Sequence, residues 1–136
     1  MTKMVIGLSS CSIDKLTGVG VMLSGAAADD MDVEVFVLVN AARAFLKNNP
    51  AEEFMSDTCL TVAEFKSACE KVSTPSWLQF FEMTKEMTNI KINICSLAGK
   101  LAGGEKKEDF IDLVDDFCGI GEYLDSAKEA DIHISV

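Results

Sequence analysis

The run Val33-Glu34-Val35-Phe36-Val37-Leu38-Val39 constrains this chain more than any other stretch. It is mostly β-branched and almost wholly apolar, without the alternation of a strand that keeps one face wet. Such a segment fits a strand covered on both faces, which calls for a parallel sheet with helices laid on it. Other strands follow from similar cues. Val5-Ile6-Gly7-Leu8 is a short apolar run closed by Ser9-Ser10-Cys11-Ser12, and reads as a buried strand entering a polar loop. In Ile90-Lys91-Ile92-Asn93-Ile94-Cys95 the apolar residues alternate with Lys91 and Asn93, so one face of this strand is expected to be less covered. Phe117-Cys118-Gly119 is a brief strand or turn, and Ile132-His133-Ile134-Ser135-Val136 is a closing strand.

Between these runs the period changes. From about Asp14, Leu16, Val19, Leu23, Ala26 and Ala27 recur at helical spacing, with Ser12 or Asp14 as the cap. Gly18, Gly20 and Gly25 weaken that helix, and close approach to the sheet is the expected compensation. Asn40 is placed to cap a helix over residues 41–47, ended by Asn48-Asn49-Pro50. Residues 50–89 read as helical, with a capping box at Thr61-Val62-Ala63-Glu64 before Phe65, Cys69 and Val72. A second start is expected at Thr74-Pro75, with proline at the first helical position ahead of Trp77-Leu78-Gln79-Phe80-Phe81. A short helix over 96–101 is stopped by Gly103-Gly104. An amphipathic helix is expected over 106–116, burying Phe110, Ile111, Leu113 and Val114, and another over 121–129. Strand and helix alternate, so the expected fold is α/β: a three-layer α/β/α sandwich around a mostly parallel five-stranded sheet. At 136 residues, one domain over 1–136 is expected.

Charge narrows the partners. Against 22 Asp and Glu stand 12 Lys and Arg, a formal net charge of -10. Residues 105–131 alone hold 10 acidic and 3 basic side chains. A field of that sign repels phosphate, so neither nucleic acid nor an anionic lipid surface is an expected partner. No run approaches the ~18 apolar residues of a membrane span, so no transmembrane segment is expected. The apolar stretch at the start is too short for a signal-peptide core, and the expected location is cytoplasmic.

Five cysteines are present: Cys11, Cys59, Cys69, Cys95 and Cys118. An odd count with no C-x-x-C pair argues against a disulfide scaffold, a thioredoxin motif and a paired zinc knuckle, leaving the chemistry of single thiols. Ligand sites in parallel sheets form beyond the carboxyl ends of the strands. Cys11, Cys95 and Cys118 all map to that edge. Cys95 is the leading candidate, because a helix starting at Ser96 would aim its amides at the sulfur, with Lys100 nearby. Both favour thiolate. The plainer reading is a small buried hydrophobe at a strand end. Cys69 falls on the stripe Val62-Phe65-Cys69-Val72 and is expected in the core; Cys59 is given no role. Cys11 and Cys118 are either second thiols or loop fillers. His133, the one histidine, reads as a satisfied structural residue. Asp109, Asp112, Asp115 and Asp116 read as a solvated helix face and not a cation site. The hydroxyls from Ser9 to Thr17 form a weak phosphate-cradle signal, with no aromatic pair to sandwich a flavin.

These residues resemble the DsrE/DsrF/DsrH-like family, and within it the DsrE3, or peroxiredoxin-like, branch. Four stretches carry the likeness. They are Met4-Val5-Ile6-Gly7-Leu8-Ser9-Ser10 through Gly25-Ala26-Ala27-Ala28; Met31-Asp32-Val33-Glu34-Val35-Phe36; Ile90 to Cys95; and Lys106-Lys107-Glu108-Asp109-Phe110-Ile111-Asp112 into Gly119-Ile120-Gly121-Glu122-Tyr123-Leu124 and Ala127-Lys128-Glu129-Ala130-Asp131. Residues 50–73 match poorly. The resemblance implies a five-stranded parallel sandwich assembled as a homotrimer or homohexamer. It also implies a cysteine after the third strand that carries sulfane sulfur as a persulfide or thiosulfonate, and that position is Cys95. The branch continues Cys-x-Met-Ser-Met where this chain has Cys95-Ser96-Leu97-Ala98-Gly99, and Cys118 stands where the branch more often has glycine.

The function expected is a sulfur carrier or sulfurtransferase. Cys95 takes sulfur from a persulfide, polysulfide or thiosulfate-type donor and passes it to a cysteine-bearing acceptor protein. The amides of Ser96 and Ala98, with Lys100, would stabilise the negative sulfur chain; Ser10 and Cys11 would line the opposite wall; Cys118 is a candidate second thiol. No metal or organic cofactor is expected. The alternatives are a non-catalytic assembly subunit, or a thiol redox protein pairing Cys95 with Cys11 or Cys118.

Overall fold

The computed structural model describes residues 1–48 and 52–136. Five parallel strands form one sheet in the order β4-β3-β2-β1-β5. They are β1 (Lys3–Leu8), β2 (Asp32–Val37), β3 (Ile90–Cys95), β4 (Asp116–Cys118) and β5 (Ile132–Ser135). Helices α1 (Ile13–Ala28), α2 (Val62–Lys71), α3 (Trp77–Met87), α4 (Ser96–Ala102) and α5 (Ile120–Glu129) connect them. This is the expected α/β sandwich, and its unequal layers follow from chain order. From β1 to β4 each strand is added on the same side of the one before, so right-handed crossovers send α1 to α4 to one face. Only the return from β4 to β5 runs the other way, and α5 alone covers the second face.

The central strand behaves as its composition requires. Val33, Val35, Phe36 and Val37 are buried, with Phe36 facing α5 and the valines facing α1 and α3. The break in the run, Glu34, is half-buried and held by Lys3 Nζ at 2.9 Å and by the Ser126 hydroxyl at 3.0 Å. The larger core gathers Met4, Ile6 and Leu8, Ile90, Ile92 and Ile94, and Leu16, Val19 and Leu23 of α1. Phe45, Trp77 and Phe81 pack edge to face at its flank, with ring centroids 5.3–6.0 Å apart. The smaller core holds Val5, Phe36, Cys118 and Tyr123.

Several boundaries differ from the sequence reading. Of the α1 glycines only Gly20 serves a close approach, and to another helix rather than the sheet: a Cβ there would lie 2.7 Å from Phe80 Cβ of α3. The helix expected over 41–47 is a 3-10 turn, Val39–Phe45, entered from an extended Leu38, and its expected end at Asn49-Pro50 lies outside the described residues. Residues 52–61 are irregular, not helical. The Thr61 capping box is present, with Glu64 N–H donating to Thr61 Oγ1 at 3.1 Å and Thr61 N–H to Glu64 Oε1 at 3.0 Å. Yet α2 buries none of its side chains, so Cys69 is half-buried and not core, and Val72 is 73% exposed. Helix α3 begins after Ser76, which makes its own capping box with Gln79; Pro75 precedes the cap instead of opening the helix.

The amphipathic helix over 106–116 does not form. The stretch makes a 3-10 turn at Lys107–Asp109, bridges Phe110 to Leu46, and turns again at Asp112-Leu113, with Val114 N–H donating to Ile111 C=O at 3.1 Å. Asp109 accepts the amides of Glu105 and Lys106 at 2.9 and 3.0 Å, while Lys47 N–H and Phe45 C=O bond Asp109 C=O and Ile111 N–H at 2.9 Å each. A carboxylate competing for backbone amides, plus cross-chain partners, displaces the helical pattern. Phe110 and Val114 are buried all the same.

Candidate functional site

All five strands point one way, so their carboxyl ends share one edge. Three of the cysteines stand on it. Cys95 is the last residue of β3 and the residue from which α4 starts; Cys118 is the last residue of β4; Cys11 lies in the loop after β1.

Cys95 and Cys118 are register partners across the β3–β4 ladder, as Ile94 and Phe117 are one step before them. Residues paired in register on neighbouring parallel strands project to the same side, with backbones about 4.8 Å apart. Ile94 and Phe117 face the larger core, so Cys95 and Cys118 stand on the α5 side of the sheet; Cys95, half-buried where the chain turns into α4, also reaches the larger core. Cys118 is buried in the smaller one. Burial first, then electrostatic coupling to the Cys95 thiol and to the carboxylates of Glu122, Asp116 and Glu34, pushes the Cys118 thiol up to about 11. It is a neutral S–H group at neutral pH.

The other expected site residues divide into two groups. Ser96 stays with the thiol pair: it is exposed, and its hydroxyl donates to Cys118 C=O at 3.3 Å, joining the start of α4 to the end of β4. Ala98 is buried beneath α4, and Lys100 is exposed on it without an ion pair among the described residues. No α4 amide makes a capping hydrogen bond to the Cys95 side chain, contrary to the expectation of amides aimed at the sulfur.

Ser10 and Cys11 do not form an opposite wall to Cys95. Strand β2 stands between β1 and β3, which puts the β1 end roughly 10 Å from the β3 end at ordinary strand spacing. They line a separate open cleft of about 530 Å³ with Ser9, Asn40, Arg43, Glu52 and Phe54. The Ser10 hydroxyl is engaged locally, 3.0 Å from Ser12 Oγ, and accepts Ser12 N–H at 3.2 Å. Cys11 is buried, and burial raises its pKa against the opposing pull of its own backbone amide and of Arg43. Arg43 is the residue that sequence reasoning missed. Its signal was present, since it is the only arginine in the chain and lies in the connection after the carboxyl end of the central strand.

Exposed apolar side chains stand on the two helices that follow β3 and β4. Leu97 and Leu101 on α4, and Ile120 and Leu124 on α5, are each more than half exposed and spaced one turn apart. Acidic Asp116 and Glu122 stand within electrostatic reach of Cys118. His133, on the far strand, donates to or accepts from the Tyr123 hydroxyl at 2.7 Å and takes no part in this cluster. Among the described residues no helix is long and apolar enough to cross a membrane. Compared with known proteins, the chain matches no family model and no curated protein.

Proposed function

We propose that this chain carries sulfane sulfur on Cys95, as a persulfide or thiosulfonate, and hands it to a cysteine of an acceptor protein. The observation that carries the reading is the position of Cys95. It is a half-buried thiol at the carboxyl edge of an all-parallel sheet, with a second thiol as its register partner. Ligand chemistry in such sheets collects at that edge. The resemblance of the sequence to the DsrE/DsrF/DsrH-like family supports the same residue and the same chemistry.

In the proposed cycle Cys95 thiolate attacks the outer sulfur of a persulfide, polysulfide or thiosulfate-type donor, and the donor's remaining fragment leaves with the bonding pair. An acceptor thiolate then attacks the outer sulfur on Cys95 and restores the thiolate. The exposed Leu97, two residues after Cys95 on α4, supports an apolar contact with an acceptor protein, and the carboxylates around Cys118 favour a basic rim on it. A homotrimer or homohexamer is the assembly that the resemblance suggests, and the cytoplasm is the location taken for it.

Intact mass spectrometry after incubation with polysulfide, thiosulfate or tetrathionate tests the reading. Adducts containing added sulfur are expected on the wild type and absent from Cys95→Ser. Adducts that persist in Cys95→Ser would move the carrier to another thiol, and no adduct on either protein would leave an assembly subunit with an inert cysteine.

A further inference from the structure

We propose that Cys118 is an internal resolving thiol, which attacks Cys95 Sγ of the sulfur-loaded protein, expels the outer sulfur as sulfide and closes a Cys95–Cys118 disulfide. This rests on the reading of Cys95 as the sulfur carrier, and it adds a second fate for the bound sulfur.

The geometry comes from the sheet. Register partners on adjacent strands have Cα atoms about 4.8 Å apart, inside the roughly 4.4–6.8 Å range that disulfides span. No other cysteine has this relation to Cys95. Cys11 is beyond β2, Cys59 is exposed in the irregular segment, and Cys69 is on α2. Burial sharpens the assignment. Cys118 is only 3% exposed, so a partner protein's cysteine cannot reach it, and the sulfur it can meet is the one on the neighbouring strand.

The step balances. Cys118 thiolate forms a bond to Cys95 Sγ as the bond from Cys95 Sγ to the outer sulfur breaks, and HS⁻ leaves with the electron pair. The sulfane sulfur is reduced to sulfide, and the two cysteines are oxidised to a disulfide. The proton lost when Cys118 ionises ends on sulfide or water. An external dithiol then reopens the disulfide by exchange.

The same surroundings set the speed. Burial, coupling to Cys95 and the carboxylates of Glu122, Asp116 and Glu34 all oppose a thiolate on Cys118, and Tyr123 packs beside it without supplying a cation. With its pKa near 11, thiolate is about one molecule in ten thousand at pH 7, four units below. The low thiolate fraction slows this discharge relative to attack by an ordinary acceptor thiol. The rate should climb about tenfold per pH unit, as the thiolate fraction does.

The test loads wild type, Cys118→Ala and Cys118→Ser with inorganic polysulfide, removes the excess, and follows intact mass and trapped sulfide from pH 7 to pH 9. The expected wild-type course is loss of the added sulfur and of two hydrogens, one sulfide per chain, and a non-reduced peptide joining residues 95 and 118. Either Cys118 variant should hold its added sulfur at least tenfold longer. If the wild type keeps its sulfur as long as the variants, Cys118 is not a resolving thiol while the carrier reading stands. A disulfide from Cys95 to Cys11 would also overturn the inference. If Cys118→Ala and Cys118→Ser fold but take up no sulfur, both the carrier reading and the inference fall.

Discussion

The Tyr123 hydroxyl bonds His133 Nε2 at 2.7 Å, so the one imidazole of the chain is spent on fastening α5 to the edge strand β5. The contact depends on a third position. A Cβ built on Gly7 of β1 would fall 2.2 Å from the Tyr123 hydroxyl oxygen and 2.8 Å from its Cζ. Glycine is required here because the ring passes directly over the strand. Gly7→Ala should therefore cost about 1–3 kcal/mol of stability by overpacking, read as a lower urea midpoint. Tyr123→Phe removes the nearer atom and leaves the farther one, so the double variant should recover only part of the loss. A wild-type midpoint for Gly7→Ala would mean that α5 does not press on β1 as described.

Glycines of one helix should respond in opposite directions. Added Cβ atoms on Gly18 and Gly25 would meet nothing within 4 Å, whereas on Gly20 the added atom would meet Phe80 Cβ at 2.7 Å. At the first two, alanine contributes only its helix propensity, and Gly18→Ala and Gly25→Ala should each stabilise by roughly 0.5–1 kcal/mol. At Gly20 the obstructing atom is fixed to the α3 backbone and cannot swing away. Gly20→Ala should destabilise despite the same propensity gain, and chemical denaturation of the three variants separates the effects.

Much of the fold was legible because strand composition and caps act locally. Val33 to Val37 has no wet face to offer, and Thr61 with Glu64 closes its box with no help from the rest of the chain. The failures lie where distant backbone decides. Phe110, Ile111 and Val114 have helical spacing, but Asp109 caps amides and Phe45 and Lys47 supply partners some sixty residues away in sequence, which no periodicity records. The apolar stripe of α2 is real and yet unburied, since nothing in the spacing says whether a neighbour will cover it. At the site, the sheet edge could be read from strand direction alone. The register of Cys95 with Cys118 could not, because β4 is three residues long and its neighbour is fixed only by tertiary pairing.

Asp115 clamps β3 to α3. Its carboxylate accepts Ile92 N–H at 2.8 Å and is paired with Lys85 of α3, whose ammonium also donates to Ile90 C=O at 3.0 Å. The pair is part-buried, so removing one partner leaves an amide and an ammonium without their acceptor. Asp115→Ala should cost about 1–3 kcal/mol. Lys85→Met keeps the packing of the stem and should cost less, and it should lower the additional penalty of Asp115→Ala in the double variant. Additive losses in that cycle would show that the two side chains do not interact.

Acid should loosen the chain through three named carboxylates. Burial alone would raise Asp14, but the Ser56 hydroxyl and its amide at 2.9 Å, with Ser12, outweigh it and hold the group below its ordinary value. Glu64 is lowered by the Thr61 amide and hydroxyl, and Asp109 by the amides of Lys106 and Glu105, with the charges of Lys106 and Lys47 assisting. A carboxylate whose pKa is lower folded than unfolded contributes stability that is complete above its unfolded value. That contribution is lost as pH falls through the folded value. Stability should thus be level from neutrality down to about pH 5 and decline below about pH 4, where unfolded Asp and Glu take up protons and these three resist. The triple variant Asp14→Asn, Glu64→Gln, Asp109→Asn should start from a lower urea midpoint at pH 7 and fall less steeply with acid than the wild type. Equal acid slopes for the two proteins would assign the pH dependence to other groups.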